Sequence, residues 1–294
     1  MKNIALIKLS CAMTIFGTIG IFVRYIPLPS GFLAMVRGAL GVLFSVAFAL
    51  VTGRKICFSA IKKSLPLLIA CGAAIGVNWI LLFESYRYTT VATATLCYYM
   101  APVFVILASP FVLREKIGLK KGVCVLVALL GMVFVSGVLD VGINSVSELR
   151  GILLGLGAAA LYASVTLMNK RLGGGVSASD RTAVQLFFAT VVIIPYTFIA
   201  EEISPEAFTL TSVSLLLVVG LVHTGFAYTL FFGSIKELSA QTVAIFGYLD
   251  PIVAILLSAL FLKEPMTPLA IVGAVLIICS TLLAELPTGE KRKG

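Results

Sequence analysis

A carboxylate, a guanidinium and an imidazole fall inside long apolar runs of this chain: Asp250, Arg37 and His223. Ionisable side chains are costly in hydrocarbon and usually functional there. Asp250 lies about ten residues into its run, which at 1.5 Å per residue puts it near mid-depth of a bilayer. A charged carboxylate is penalised at that depth, and water or a bound cation restores its charge. Such a group can trade a proton against a substrate, because occupancy by one disfavours the other. His223 sits at similar depth in the preceding run, either to handle the proton or as a hydrogen-bonded core residue. Arg37 lies nearer an interface, where its stem could snorkel to the surface or its head could contact substrate.

Uncharged groups extend the set. Trp79, Tyr98, Tyr99, Tyr162, Tyr228 and Tyr248 could stack on an aromatic substrate or hold an ammonium group by cation–π attraction. Core packing and interfacial belts use the same residue types. Thr95, Tyr98, Tyr99 and Pro102 share one helical face by spacing. Asn78 could line a cavity or bond a neighbouring carbonyl. Glu84 and Arg87, at three-residue spacing, read as a local ion pair or the edge of a gate. Pro102 and Pro251 lie mid-run and lack the N–H a helix needs, so they free the carbonyls of Tyr98 and Gly247. At membrane depth such carbonyls need a partner inside the protein or a water-lined cavity.

Other chemistries have no foothold. The six cysteines form no C-x-x-C pair, and there is a single histidine. H-E-x-x-H, G-x-S-x-G and the phosphate-cradling G-x-x-x-x-G-K are all missing. No catalytic residue, metal or cofactor is expected.

The elements that must carry these residues are membrane helices. Of 294 residues 60% are hydrophobic and 12% charged, where soluble domains carry roughly 25% charged; the mean hydropathy is +1.11. Apolar runs recur at about 20 residues, the length that crosses roughly 30 Å of hydrocarbon. Spans are read at 4–23, 32–51, 65–83, 92–113 and 121–139, then 151–169, 182–200, 213–235, 241–262 and 269–286. The first is read as an uncleaved span, since no small-x-small site follows it. Small-residue spacings at Gly72/Gly76, Gly118/Gly122 and Gly151/Gly155 suit close helix packing or dimerisation. Thr14, Gly17 and Gly20 make the first span thin and polar enough to face a cavity.

The net charge of +9 is not spread as a nucleic-acid surface would need. Basic residues fill alternate connections: Arg54, Lys55, Lys62 and Lys63; Arg114, Lys116, Lys120 and Lys121; Lys170, Arg171 and Arg181; Lys236. Lys2, Lys8 and Lys291-Arg292-Lys293 mark the termini, while the opposite connections hold Arg24, Arg87, Arg150 and Lys263 beside Glu201, Glu202 and Glu206. This asymmetry puts both termini in the cytoplasm and the chain in the cytoplasmic membrane.

Shifted by 149 residues, Phe83–Glu115 lies over Phe232–Glu264 without a gap, with ten identities in thirty-three positions. They include Tyr99/Tyr248, Pro102/Pro251 and Glu115/Glu264, and Arg114 meets Lys263. Asp250 falls on Ala101, Trp79 on Tyr228, and Arg37, at a shift of 148, on Gln185. Five spans per half is an odd number, so the halves cross the membrane in opposite senses. Inverted repeats of this kind bind substrate between the halves and alternate access around it.

Tyr99-Met100-Ala101-Pro102 running to Arg114-Glu115, and Tyr248-Leu249-Asp250-Pro251 running to Lys263-Glu264, resemble the fourth and ninth spans of the EamA family of drug/metabolite transporters. The resemblance covers essentially the whole chain, including Arg37 in the second span. It implies an all-α fold of ten transmembrane helices in two inverted five-helix repeats, at 1–140 and 150–286, with an external linker at 141–149 and a basic cytoplasmic tail at 287–294.

The function expected is a secondary, proton-coupled carrier of a small polar or amphipathic metabolite such as an amino acid or related amine. The expected partners are that molecule, protons and the lipid bilayer, with no nucleic acid, and the protein is a monomer or homodimer. An alternative substrate is a cationic or quaternary amine held by Asp250 and the rings. A membrane receptor or intramembrane enzyme is the remote alternative, for want of a nucleophile–base pair.

Overall fold

The computed structural model describes residues 2–53, 57–89, 91–115, 118–136, 146–172, 175–261 and 268–285. Residues 141–145 of the expected linker, the Lys263-Glu264 pair, Arg54, Lys55, Lys116 and the tail 287–294 lie outside them. The described chain is helical, with no strand.

In order the helices are α1 (Lys2–Arg24), α2 (Ser30–Val51), α3 (Phe58–Tyr88), α4 (Val91–Tyr98), α5 (Ala101–Leu113), α6 (Leu119–Ser136), α7 (Val146–Leu172) and α8 (Ala178–Ala200). A short 3-10 turn, Pro205–Ala207, leads to α9 (Leu210–Val218), which continues through a π-helical segment, Val219–Phe226, into α10 (Ala227–Ile235). Then come α11 (Ala240–Phe246), α12 (Leu249–Phe261) and α13 (Pro268–Glu285). Among the described residues seven stretches are long and apolar enough to cross a membrane: Asn3–Arg24, Ser30–Val51, Phe58–Tyr88, Ala94–Leu113, Glu148–Leu172, Ala178–Ala200 and Leu210–Ile235. Ala240–Ala254 and Ile271–Ser280 are shorter apolar helices.

Two helices outrun their apolar cores. α3 begins at Phe58 and ends at Tyr88, past the expected 65–83, because Lys62, Lys63 and Arg87 carry the helix on without spoiling its backbone bonds. α7 begins at Val146, inside the stretch expected as linker.

Helix ends are closed by side chains, as orphan N–H groups require. The Ser177, Thr209 and Ser239 hydroxyls accept from the N–H groups of Asp180, Ser212 and Thr242. α2, preceded by Pro29, has no such cap of its own. Glu201 supplies it from the end of α8, accepting from Gly31 N at 2.8 Å and Phe32 N at 2.9 Å, where the helix dipole favours an anion. The Arg114-Glu115 turn ties α5 to the start of α11 and the end of α7. Arg114 closes α5 in the left-handed region, φ 57°. Glu115 then accepts from Ala240 N at 3.0 Å and pairs with Lys170 Nζ at 3.0 Å.

α3 packs along α7 and α8, α1 along α10 and α12, α2 along α8 and the π segment, and α6 along α13. Small residues permit the close crossings. A Cβ on Gly72 or Gly76 would fall 2.5 Å and 2.7 Å from the carbonyls of Gln185 and Ala189 on α8. Gly151 and Gly155 likewise face Thr89 and Cys97, so these two spacings are used inside the protomer. The outward faces stay apolar; Phe111 and Ile199 are nearly nine-tenths exposed.

Candidate functional site

Two helix breaks face each other across the middle of the bundle. α4 stops at Tyr98 and α5 resumes at Ala101; α11 stops at Phe246 and α12 resumes at Leu249. Pro102 and Pro251 are the cause. Each sits in the first turn of its new helix, where an N–H is not needed, and the turn before it tightens to bonds such as Met100 N to Cys97 O, 3.1 Å, and Tyr248 N to Ile245 O, 3.1 Å. The carbonyl that finds a partner across the halves is that of Tyr99, one residue beyond Tyr98: it accepts from the Tyr248 hydroxyl at 3.2 Å.

The breaks border a cavity of about 190 Å³. Of the residues singled out in the sequence, it gathers Arg37, Trp79, Tyr98, Tyr99, Pro102, Tyr162, Tyr228 and Asp250. Arg37 stacks over Trp79, its Cζ 4.5 Å from the ring centroid. The Tyr228 hydroxyl lies beside the guanidinium, yet the buried Arg37 Nε has no hydrogen-bond partner. Asp250 lines the same cavity with the Tyr99 hydroxyl beside it. The two charges form no ion pair with each other. Rings fill the space between: Trp79 meets Tyr228 edge-on at 6.5 Å, and Tyr98 touches Tyr99 at 6.0 Å and Tyr162 at 5.8 Å.

The remaining candidates lie elsewhere. Asn78 is buried and donates from Nδ2 to Ala158 O at 2.5 Å, clamping α3 to α7. Tyr248 is fully buried against α6 and α13 and reaches the site only through its hydroxyl. Pro251 shapes the break but does not line the cavity. His223 sits in the π segment, its Nε2 2.7 Å from Thr18 Oγ1 and its ring edge-on to Phe22 at 4.8 Å; it does not share the cavity with Asp250. Gln185 forms a reciprocal amide pair with Asn169, at 2.8 and 3.1 Å. Glu84 and Arg87 do pair, at 3.0 Å, and Glu84 also accepts from the Tyr196 hydroxyl at 2.7 Å.

Residue-by-residue reasoning passed over Met13, Phe16, Ile19 and Phe231, all of which line the cavity. A signal existed for two of them. Phe231 follows Tyr228 by one helical turn and shares its face. Phe16 adjoins Gly17, whose missing Cβ would fall 2.5 Å from the Asp250 carbonyl; α1 can therefore press against α12 and turn Phe16 inward.

A cation and an anion held apart within an aromatic box can bind a small molecule that carries both signs of charge. Among the described residues the lining includes no serine, cysteine, lysine or histidine, and no cluster could hold a metal ion.

A family model described as the EamA-like transporter family matches residues 3–137 and again 149–286. An uncharacterized transporter of Bacillus subtilis, YxxF, is 33% identical over 264 residues, covering 88% of this chain and 82% of that protein. Protein PecM of Dickeya dadantii is 26% identical over 213 residues, covering 72% and 70%. A solved crystal structure superposes with a TM-score of 0.85 at 17% identity, covering 97% of this chain and 96% of the other; it shares the fold.

Proposed function

The chain belongs to the EamA-like transporter family, and from that premise we propose that it is a proton-coupled secondary carrier for a small dipolar metabolite, an amino acid or a related amine. The observation that carries this reading is that Arg37, with a buried and unpartnered Nε, and Asp250 line one aromatic cavity. The carboxylate of the substrate would meet Arg37, and its ammonium would meet Asp250 and the rings. A purely cationic or quaternary amine fits less well, since Arg37 repels it. The family and the Bacillus subtilis relative are named as transporters, which supports a reading of transport over catalysis.

The architecture we propose is ten spans in two inverted repeats, with both termini in the cytoplasm. Under exchange of the halves, α1, α2, α3, α4–α5 and α6 become α7, α8, α9–α10, α11–α12 and α13. The contacts of α3 with α7 then answer those of α1 with α10, and α3 with α8 answers α2 with the π segment. α2 with α8 and α6 with α13 map onto themselves. The family model's matching each half in turn supports the same division. Each half could adopt the other's conformation, opening the cavity first to one side and then to the other.

The test is exchange transport by the purified protein in liposomes, against a panel of amino acids, their decarboxylated amines and choline. The reading expects saturable exchange of a zwitterion, with the amine and the N-blocked acid each weaker. Exchange of choline alone would favour the cationic alternative, and no exchange with any member would count against this substrate class.

A further inference from the structure

A second recess, of about 360 Å³, opens on the outer face of the bundle where α1, α2, α8 and α10 meet. It shares no lining residue with the central cavity. Its polar end is basic: Lys8 and Lys236 are exposed at its mouth, and Arg181 lies buried behind them. Arg181 is fixed by donating from NH1 to Asn169 O at 2.9 Å. Among the described lining residues Glu237 is the one acid, leaving a formal excess of two positive charges. The other end is aromatic. Phe44 and Phe48 stack at 6.0 Å with rings 12° apart, and Phe226 meets Phe44 edge-on at 6.3 Å. Phe48 and Phe226 continue outward onto apolar surface.

We infer that this recess binds one anionic phospholipid, its phosphate between Lys8 and Lys236 and an acyl chain along the phenylalanine wall. Charge complementarity chooses an anionic head group, since basic pockets between membrane helices attract one. The apolar wall chooses a lipid, because a free anion would gain nothing from three rings. The site lies against α2 and α8, which pack together beside the π segment, so an occupant braces the helix that carries Arg37 and its neighbour.

The experiment uses the full chain in detergent and counts lipid adducts by native mass spectrometry. The probes are phosphatidylglycerol, phosphatidylcholine with the same acyl chains, and inorganic phosphate. Phosphatidylglycerol is expected to bind more tightly than phosphatidylcholine, with inorganic phosphate failing to displace it. The double variant Lys8→Gln/Lys236→Gln should weaken phosphatidylglycerol roughly 30-fold, on the order of 2 kcal/mol, and phosphatidylcholine, whose choline offsets its phosphate, far less. Lys62→Gln/Lys63→Gln, the same loss of charge at another exposed place, should bind as wild type. Phe48→Ala should weaken both lipids. Equal binding of the two lipids, wild-type phosphatidylglycerol affinity in Lys8→Gln/Lys236→Gln, or displacement by inorganic phosphate would each overturn the assignment.

Discussion

The Arg37 guanidinium lies over the Trp79 ring and lines the central cavity. Its buried, unpartnered Nε carries a desolvation cost that a bound carboxylate would remove. Arg37→Met should therefore weaken binding of a carboxylate-bearing substrate by on the order of tenfold to a hundredfold, and leave its decarboxylated amine unharmed or improved; calorimetric titration of both ligands checks this. Trp79 holds the guanidinium face, so Trp79→Ala should cost about tenfold in the same titration. Phe198→Ala, on the exposed face of α8, should cost nothing. Arg37 and Asp250 were legible in the sequence because charge inside an apolar run is expensive enough to stand out. Asn78, His223 and Tyr248 were not separable by that logic. Whether a polar group meets a cavity or a neighbouring carbonyl depends on the rotation of its helix, and a few tens of degrees decide it. Asn78 meets Ala158 O, and His223 meets Thr18.

At the scale of elements, the breaks before Pro102 and Pro251 set the geometry. Proline positions announced them, but the tie between them needed the fold: the Tyr248 hydroxyl closes on the Tyr99 carbonyl from the other half. Tyr248→Phe should lose about 1 kcal/mol of stability and change the exchange rate more than the affinity, as thermal unfolding and substrate titration would show. Gly17 lets α1 lie against the start of α12. Gly17→Val should overpack that crossing and cost about 1–3 kcal/mol, read as a lower unfolding temperature together with weakened substrate binding. Apolar run length located most of the described helices to within about a turn. It did not locate the ends of α3, where lysines and an arginine continue the helix past the hydrocarbon. Nor did it foresee the π segment at Val219–Phe226, since no residue type encodes a wide turn that Gly220 and Gly225 accommodate against Leu40 and Phe44.

At the scale of the whole molecule, the account rests on an orientation and a cycle. Cys57 is exposed at the start of α3, in a connection assigned to the cytoplasm by its basic neighbours. The Ser59 hydroxyl, and after it the Ala60 amide, hold its thiol below the usual cysteine range. The thiolate reacts, so labelling by a membrane-impermeant maleimide should rise with pH and reach half its limit below the ordinary thiol midpoint. In intact cells the wild type should stay as unlabelled at this position as Cys57→Ser until the membrane is permeabilised. Tyr99, Pro102 and Glu115 recur at one fixed spacing in the sequence, and the family model matches each half in turn. That α1 faces a cavity was expected from Thr14, Gly17 and Gly20, but the side chains it contributes, Met13, Phe16 and Ile19, depend on packing that spacing does not show. In the cycle proposed above, Asp250 would bind either a proton or the ammonium end of the substrate as the cavity changes sides. The direct measurement is substrate accumulation in liposomes with and without an imposed proton gradient, for wild type and Asp250→Asn in parallel. The account predicts that the gradient drives accumulation by the wild type, and that the variant, folded and still able to exchange substrate, gains nothing from the gradient. Gradient-driven accumulation by Asp250→Asn equal to that of the wild type would contradict it.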